Sequence, residues 1–142
     1  MNFVSPLKLP VAFETGISSI DQEHKGLIAY LNGYLASCEH STISNFDELF
    51  TAFISELEHH FESEEMIMQE AGYPGLEKHA RHHQHCLDEL RRLLERCRSR
   101  GYAGTGDVIT FFQKIIDDVS KADLRFVDYL MAEDKMTEFK AR

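Results

Sequence analysis

The sequence predicts an all-α protein, an up-down-up-down four-helix bundle that follows an extended N-terminal arm. Over four long segments, apolar residues recur at steps of three and four, which is the spacing of an amphipathic helix. The chain has eight glycines and three prolines among 142 residues. Most of them cluster at a few points between these segments, where they predict turns. Short links between amphipathic helices favour antiparallel packing around a shared core.

The predicted elements form a single domain over residues 1–142. Pro6, Pro10 and Gly16 mark an extended arm at 1–16. Turns are expected at "AGYPG" and "SRGYAGTG". The helices are expected at about 17–38, 45–70, 74–98 and 107–126. The sequence of residues 127–142 predicts a C-terminal helical extension. This extension would pack either on the bundle or on another subunit.

The charge and the cysteines argue against several classes of protein. Lys and Arg number 15 against 24 Asp and Glu, and a net charge of −9 disfavours nucleic acid and anionic membranes as partners. No apolar run is long enough to span a membrane and no secretory signal pattern is present, so we expect a cytoplasmic protein. Cys38, Cys86 and Cys97 lack C-x-x-C spacing, which argues against a disulfide framework and a zinc knuckle.

Five polar residues interrupt the predicted apolar stripes. They are His24 in the first helix, His60 and Glu64 in the second, and His79 and His83 in the third. Residues four apart share a helix face, so each of the two pairs can reach one ion. A lone inward-facing histidine is more often a hydrogen-bonded core residue. Such residues on three stripes instead predict shared metal ions.

The stretch "HARHHQH" at 79–85 shows how the register separates the histidines. His79 and His83 lie on the stripe, whereas His82 and His85 lie about 100° and 200° away from it and are expected to be solvated. Imidazole and carboxylate ligands favour iron, manganese or zinc over calcium or magnesium. Helical bundles hold pairs of such ions with bridging carboxylates.

Three motifs, "GISSIDQEHKGL", "HHFESEE" and "YPGLEKHARHH", together resemble those of the hemerythrins, in particular the single-domain bacterial ones. The resemblance extends to about residue 126. It implies a non-haem centre of two iron ions, Fe2+ or Fe3+ with an oxo or hydroxo bridge, that binds dioxygen reversibly. By position, His24 and His60 would hold the iron that receives dioxygen, and His79 and His83 the other iron. Glu64 and Asp123 would bridge the two.

The fourth helix departs from the family pattern, because Asp118 stands where the family has a fifth histidine. If the buried face is centred on Ile115, Asp118 and Asp123 lie about 60° and 80° to either side of it. We expect Asp118 to ligate iron directly or through water; the alternative is a surface ion pair with Lys114. A carboxylate in place of imidazole adds negative charge, which favours ferric iron and predicts faster autoxidation.

The favoured function is reversible binding of dioxygen for transport, storage or sensing, rather than enzymatic catalysis. Apolar stripes around the receiving iron suit a small neutral gas. The alternative is a di-iron enzyme that acts on peroxide or nitric oxide, or that assists iron–sulfur repair. The expected partner is dioxygen, with a redox or client protein unspecified, and the expected state is a monomer or a weak homo-oligomer.

Overall fold

Four long helices packed together form the protein, which confirms the predicted all-α bundle. The computed structural model describes residues 7–8, 10–36 and 42–142. Cys38, His40 and the predicted end of the first helix lie outside these residues. The long helices are α1 (Ser18–Ala36), α2 (Phe46–Glu70), α3 (Leu76–Arg100) and α4 (Thr105–Ala132), and they are followed by a short α5 (Met136–Phe139). None of the described helices has the length and apolarity needed to cross a membrane.

The loops at one end of the bundle are joined by a short β-pairing that the sequence analysis did not predict. Strand β1 (Thr42–Ile43) pairs antiparallel with β2 (Ala103–Gly104). Ile43 and Ala103 are buried there. Because a two-residue ladder offers no alternating pattern long enough to read, sequence reasoning has no signal for it.

Local hydrogen bonds define where the helices begin and end. The Asp21 carboxylate accepts hydrogen bonds from the backbone N–H groups of Thr15 and Gly16, both at 2.9 Å, and so fixes the turn before α1. Gly101 ends α3 in the left-handed conformation, with φ +84°, and its N–H donates to the carbonyl of Cys97 at 2.8 Å. A side chain would strain this backbone, which is why glycine suits the position.

The N-terminal arm packs across α1 and α4. The side-chain amide of Asn32 donates to the carbonyl of Leu7 at 2.9 Å, and Leu7 itself is buried in the core. The amide of Gln113 donates to the carbonyl of Lys8 at 3.0 Å. Two side-chain amides therefore tie this part of the arm to the bundle.

The C-terminal residues pack on the bundle of the same chain. Helix α4 continues to Ala132, beyond its predicted end, and Phe139 of α5 is buried beside Phe126 and Leu130. The N–H groups of Ser18 and Ser19 donate to the carbonyls of residues 140 and 142 at 2.9 and 3.0 Å. The first N–H groups of a helix have no partner within it, so the C-terminal residues complete the start of α1.

Two apolar clusters form the core. The larger lies toward the end that carries the β-pairing and includes Phe50, Phe53 and Phe112. The smaller surrounds Ile20, Phe126 and Phe139 at the opposite end. Buried polar residues of all four long helices belong to neither cluster, and they form the candidate site.

Candidate metal centre

The six residues predicted as ligands in the helix stripes and at position 123 converge in the bundle interior. One comes from α1, two from α2, two from α3 and one from α4, and all are at most 6% exposed. They are His24, His60, Glu64, His79, His83 and Asp123. Their ligand atoms form two groups in which all atoms lie within 4.8 Å of one another. Glu64 and Asp123 belong to both groups.

Each shared carboxylate directs one oxygen to each group. Oε2 of Glu64 lies 3.2 Å from Nε2 of His60, whereas Oε1 lies 2.8 Å from Nε2 of His79 and 3.2 Å from Nε2 of His83. Asp123 repeats the arrangement, with Oδ2 at 3.0 Å from Nε2 of His24 and Oδ1 at 3.0 Å from Nε2 of His79. Each carboxylate is therefore placed to contact donor atoms of both groups.

The unsatisfied polar atoms test whether metal ions fit this site. Among the described residues, both ring nitrogens of His24 and His60, Oε2 of Glu64 and both carboxylate oxygens of Asp123 are buried without a hydrogen bond. Buried polar groups are nearly always paired. The inner nitrogens, Nε2 of His24 and of His60, lie 3.0 and 3.2 Å from carboxylate oxygens without forming hydrogen bonds, as expected if these atoms face a cation. Each group therefore has donor atoms that could hold a metal ion.

Without a cation, the site balances its charges through shifted pKa values. Burial alone would lower the pKa of His60, but Glu23 and Glu64 outweigh it and raise that pKa to about 10. Burial would also lower the pKa of His79, but Asp123 and Glu64 outweigh it and raise that pKa to about 9. Burial would raise the pKa of Glu64, but the neighbouring Asp123 carboxyl and the imidazoles of His60, His79 and His83 hold it well below its usual range. Burial and the charge of Glu64 raise the pKa of Asp123.

Two further carboxylates contact the outer nitrogens of the histidines. Oε2 of Glu23 lies 3.4 Å from Nδ1 of His60, and Oε2 of Glu65 lies 3.0 Å from Nδ1 of His83. Carboxylates in this position orient metal-bound imidazoles and fix their tautomer. Glu65 lies off the apolar stripe and is partly exposed, yet its carboxylate reaches His83. The available signal was its place beside Glu64, just as Glu23 precedes His24.

The two groups have different surroundings. A cavity of about 30 Å³ adjoins His24 and His60, and every other residue that lines it is aliphatic or aromatic: Leu27, Ile28, Phe53, Leu57, Ile115, Ile116 and Val119. On the opposite side, the ring of Phe61 stacks on that of His83, with centroids 3.8 Å apart. The cavity that His83 lines is mixed in character, with apolar Phe61, Ala80 and Leu87 beside the polar or charged Glu58, Glu62, Glu65, Gln84 and Arg91.

Asp118 lies outside both groups of ligand atoms. It is half-buried and lines an open cavity of about 590 Å³ on the outer side of α4. Phe112 and Leu130, both fully buried, lie on one line along the helix, about 20° from Asp123 and about 120° from Asp118. The buried face is thus rotated from the predicted centre, and its centre lies toward Asp123. Iron ligation by Asp118 stays a prediction.

His82 is more enclosed than the sequence analysis expected. It is half-buried, its Nδ1 is buried without a hydrogen bond among the described residues, and its Nε2 lies 3.9 Å from Sγ of Cys86. Burial is the main cause that lowers the pKa of His82. His85 is exposed as expected, and its Nε2 lies 2.6 Å from the Glu89 carboxylate.

The chain belongs to the hemerythrin family. The family model for the hemerythrin HHE cation-binding domain matches residues 15–130, a range that contains all six converging residues. The match confirms the resemblance drawn from the motifs. Searches of curated proteins and of solved structures find no match.

Proposed function

We propose that the protein binds dioxygen reversibly at a centre of two iron ions. His24 and His60 would hold one iron and His79 and His83 the other, with Glu64 and Asp123 shared between them. A pair of ferrous ions supplies the electrons that dioxygen binding requires. The shared carboxylates, each with one oxygen toward either group, support two ions rather than one.

The cavity beside His24 and His60 is the main support for dioxygen as the molecule that the centre binds. Its volume of about 30 Å³ is close to that of one water molecule in the liquid. Such a space admits a diatomic gas and excludes an organic substrate. A stable water needs two to four polar partners, and the walls of Leu57, Ile116 and Val119 provide none. Bound dioxygen would therefore be shielded from water and from protons.

The outer carboxylates support a centre that keeps its geometry while the metal charge changes. Glu23 and Glu65 each face the nitrogen of an imidazole that points away from the metal position. A carboxylate there holds the ring orientation and compensates added positive charge. One such contact belongs to each iron, so both ions would remain bound through cycles of loading and release.

The test is to record absorption spectra of the purified protein with and without air and to count iron on the same sample. We expect about two irons per chain, a requirement for a bridged pair, and a spectral change that reverses when dioxygen is removed. Fewer than about two irons would contradict the di-iron centre. Repeated, rapid consumption of added peroxide would instead favour the enzymatic alternative.

A further inference from the structure

A third imidazole lies at the edge of the group that contains His79 and His83. The ring of His82 has its centroid 6.4 Å from that of His79. Its Nδ1 is buried and has no hydrogen-bond partner in the described part of the chain. A buried nitrogen without a partner costs free energy, so its persistence calls for an explanation.

Each group of four protein atoms leaves coordination positions open, since first-row transition ions take up to six ligands in octahedral sites. On the side of His24 and His60, the surrounding residues are apolar, so an open position there suits a gas. On the side of His79 and His83, a donor atom of the protein can occupy an open coordination position.

Three donors lie near this second position, and two of them are poorly suited. Sγ of Cys86 is buried in the larger apolar cluster, where the thiolate that binds metals is disfavoured. Asp118 lies about 120° around α4 from the buried line and lines an open cavity on the outer side of that helix. The remaining donor is His82.

Building on the proposed di-iron centre, we propose that His82 is an additional ligand, through Nδ1, of the metal ion held by His79 and His83. Its nitrogen lies outside the group of atoms within 4.8 Å of one another, so ligation requires the ring to turn. The side chain is half-buried, and among the described residues no hydrogen bond holds Nδ1 in its present orientation.

The test compares His82→Gln with the wild type, both loaded anaerobically with 57Fe. His85→Gln is the matched control, since His85 lies on the same helix but is exposed. Mössbauer spectra of the wild type should contain two quadrupole doublets because the two positions differ. In His82→Gln one doublet should change while the other stays. A chelator should then remove one iron about 10- to 100-fold faster, the range typical when a group that supports a metal site is lost.

Circular dichroism of the metal-free variants establishes that each is folded. Unchanged doublets and unchanged iron release in His82→Gln, with two irons per chain in the wild type, would overturn the role of His82 and leave the di-iron centre intact. The same changes in His85→Gln would also overturn it. If Asp118→Asn alters one doublet and His82→Gln does not, Asp118 is the ligand. Fewer than about two irons in the wild type would refute the centre and the inference together.

Discussion

The two halves of the candidate centre use the same kinds of ligand but have different surroundings. His24 and His60 border a small apolar cavity, whereas His79 and His83 lie beside Glu65 and the half-buried His82. Each half contributes two imidazoles and shares both carboxylates. The two groups of ligand atoms are therefore chemically similar and differ in what lies next to them.

Under the proposed function, this difference would explain how one bundle combines a firmly held metal ion with a reactive one. Polar groups around one ion can add ligands and hydrogen bonds, which hold it in place. An apolar wall beside the other ion leaves a coordination position for a neutral molecule and keeps water away. We infer these different roles of the two groups from their surroundings. The following experiments test the inference, from the largest expected effect to the smallest.

Glu64→Ala should abolish the centre on both sides. This carboxylate contacts imidazoles of both groups and is fully buried. Its loss removes one ligand from each ion, so we expect little iron to remain after purification. Iron per chain is the measurement, and Glu62→Ala, an exposed acid of the same helix, is the control. Retention of two irons by Glu64→Ala would show that the carboxylate does not bridge.

Glu65→Gln and Glu23→Gln should each weaken the binding of one of the two irons. Removing the outer carboxylate of a metal-bound histidine typically weakens metal affinity by about 10- to 100-fold. We expect Glu65→Gln to affect the iron beside His83, and Glu23→Gln the iron beside His60. Stepwise iron release to a chelator, followed by Mössbauer spectroscopy, assigns the loss. Release of the same iron in both variants would contradict the pairing of each acid with its own side.

Val119→Thr should shorten the lifetime of the dioxygen adduct roughly tenfold, which corresponds to 1.4 kcal/mol of barrier. The new hydroxyl keeps the side-chain shape but gives water a polar partner in the cavity. Val127→Thr places the same change on the same helix outside the residues that line the cavity. The decay of the adduct's absorption band is the measurement. Equal decay in both variants would show that the apolar wall does not protect the adduct.

Asp118→His should prolong the adduct several-fold. The change removes a negative charge near the metals, and negative charge favours ferric iron. Asp117→His, at the adjacent residue, is the control. An unchanged decay rate would show that Asp118 has no influence on the centre.

The metal-free protein should lose stability as pH rises. The pKa values of His60 and His79 are raised to about 10 and about 9 in the folded state. The unfolded value is about 6.5. Their contribution is therefore fully present below pH 6.5 and is lost as pH rises through 9 to 10. Melting temperatures between pH 6 and 10 test this.

The variant Glu23→Gln provides the control for this pH dependence. Because Glu23 is one cause of the raised pKa of His60, its removal should make the melting temperature fall less steeply as pH rises. A melting temperature that stays level or increases between pH 7 and 9 would contradict the charge balance inferred for the site.

The fold and most of the site follow from spacing in the sequence. His60 with Glu64, and His79 with His83, are four residues apart on strongly periodic stripes, so their phase is clear. The fourth helix is ambiguous because Phe111 and Phe112 are adjacent and either can lie on the stripe. The structure buries Phe112 fully and leaves Phe111 half-buried. That rotation is enough to move Asp118 away from the ligand atoms.

Other features depend on contacts that local patterns do not encode. Glu65 and His82 lie off the apolar stripe, so periodicity assigns them to solvent, yet both reach the neighbourhood of the site by side-chain length and orientation. The backbone carbonyls of residues 140 and 142 accept hydrogen bonds from the start of α1, although most of the chain separates the two segments in sequence. Periodicity indicates a helix there but not the surface on which it packs.

The most direct test of the whole account is a crystal structure of the iron-loaded protein with anomalous diffraction at the iron edge. We expect two iron peaks in the bundle interior, both bound to Glu64 and Asp123, with His24 and His60 on one and His79 and His83 on the other. A single peak, or iron bound away from these six residues, would contradict it.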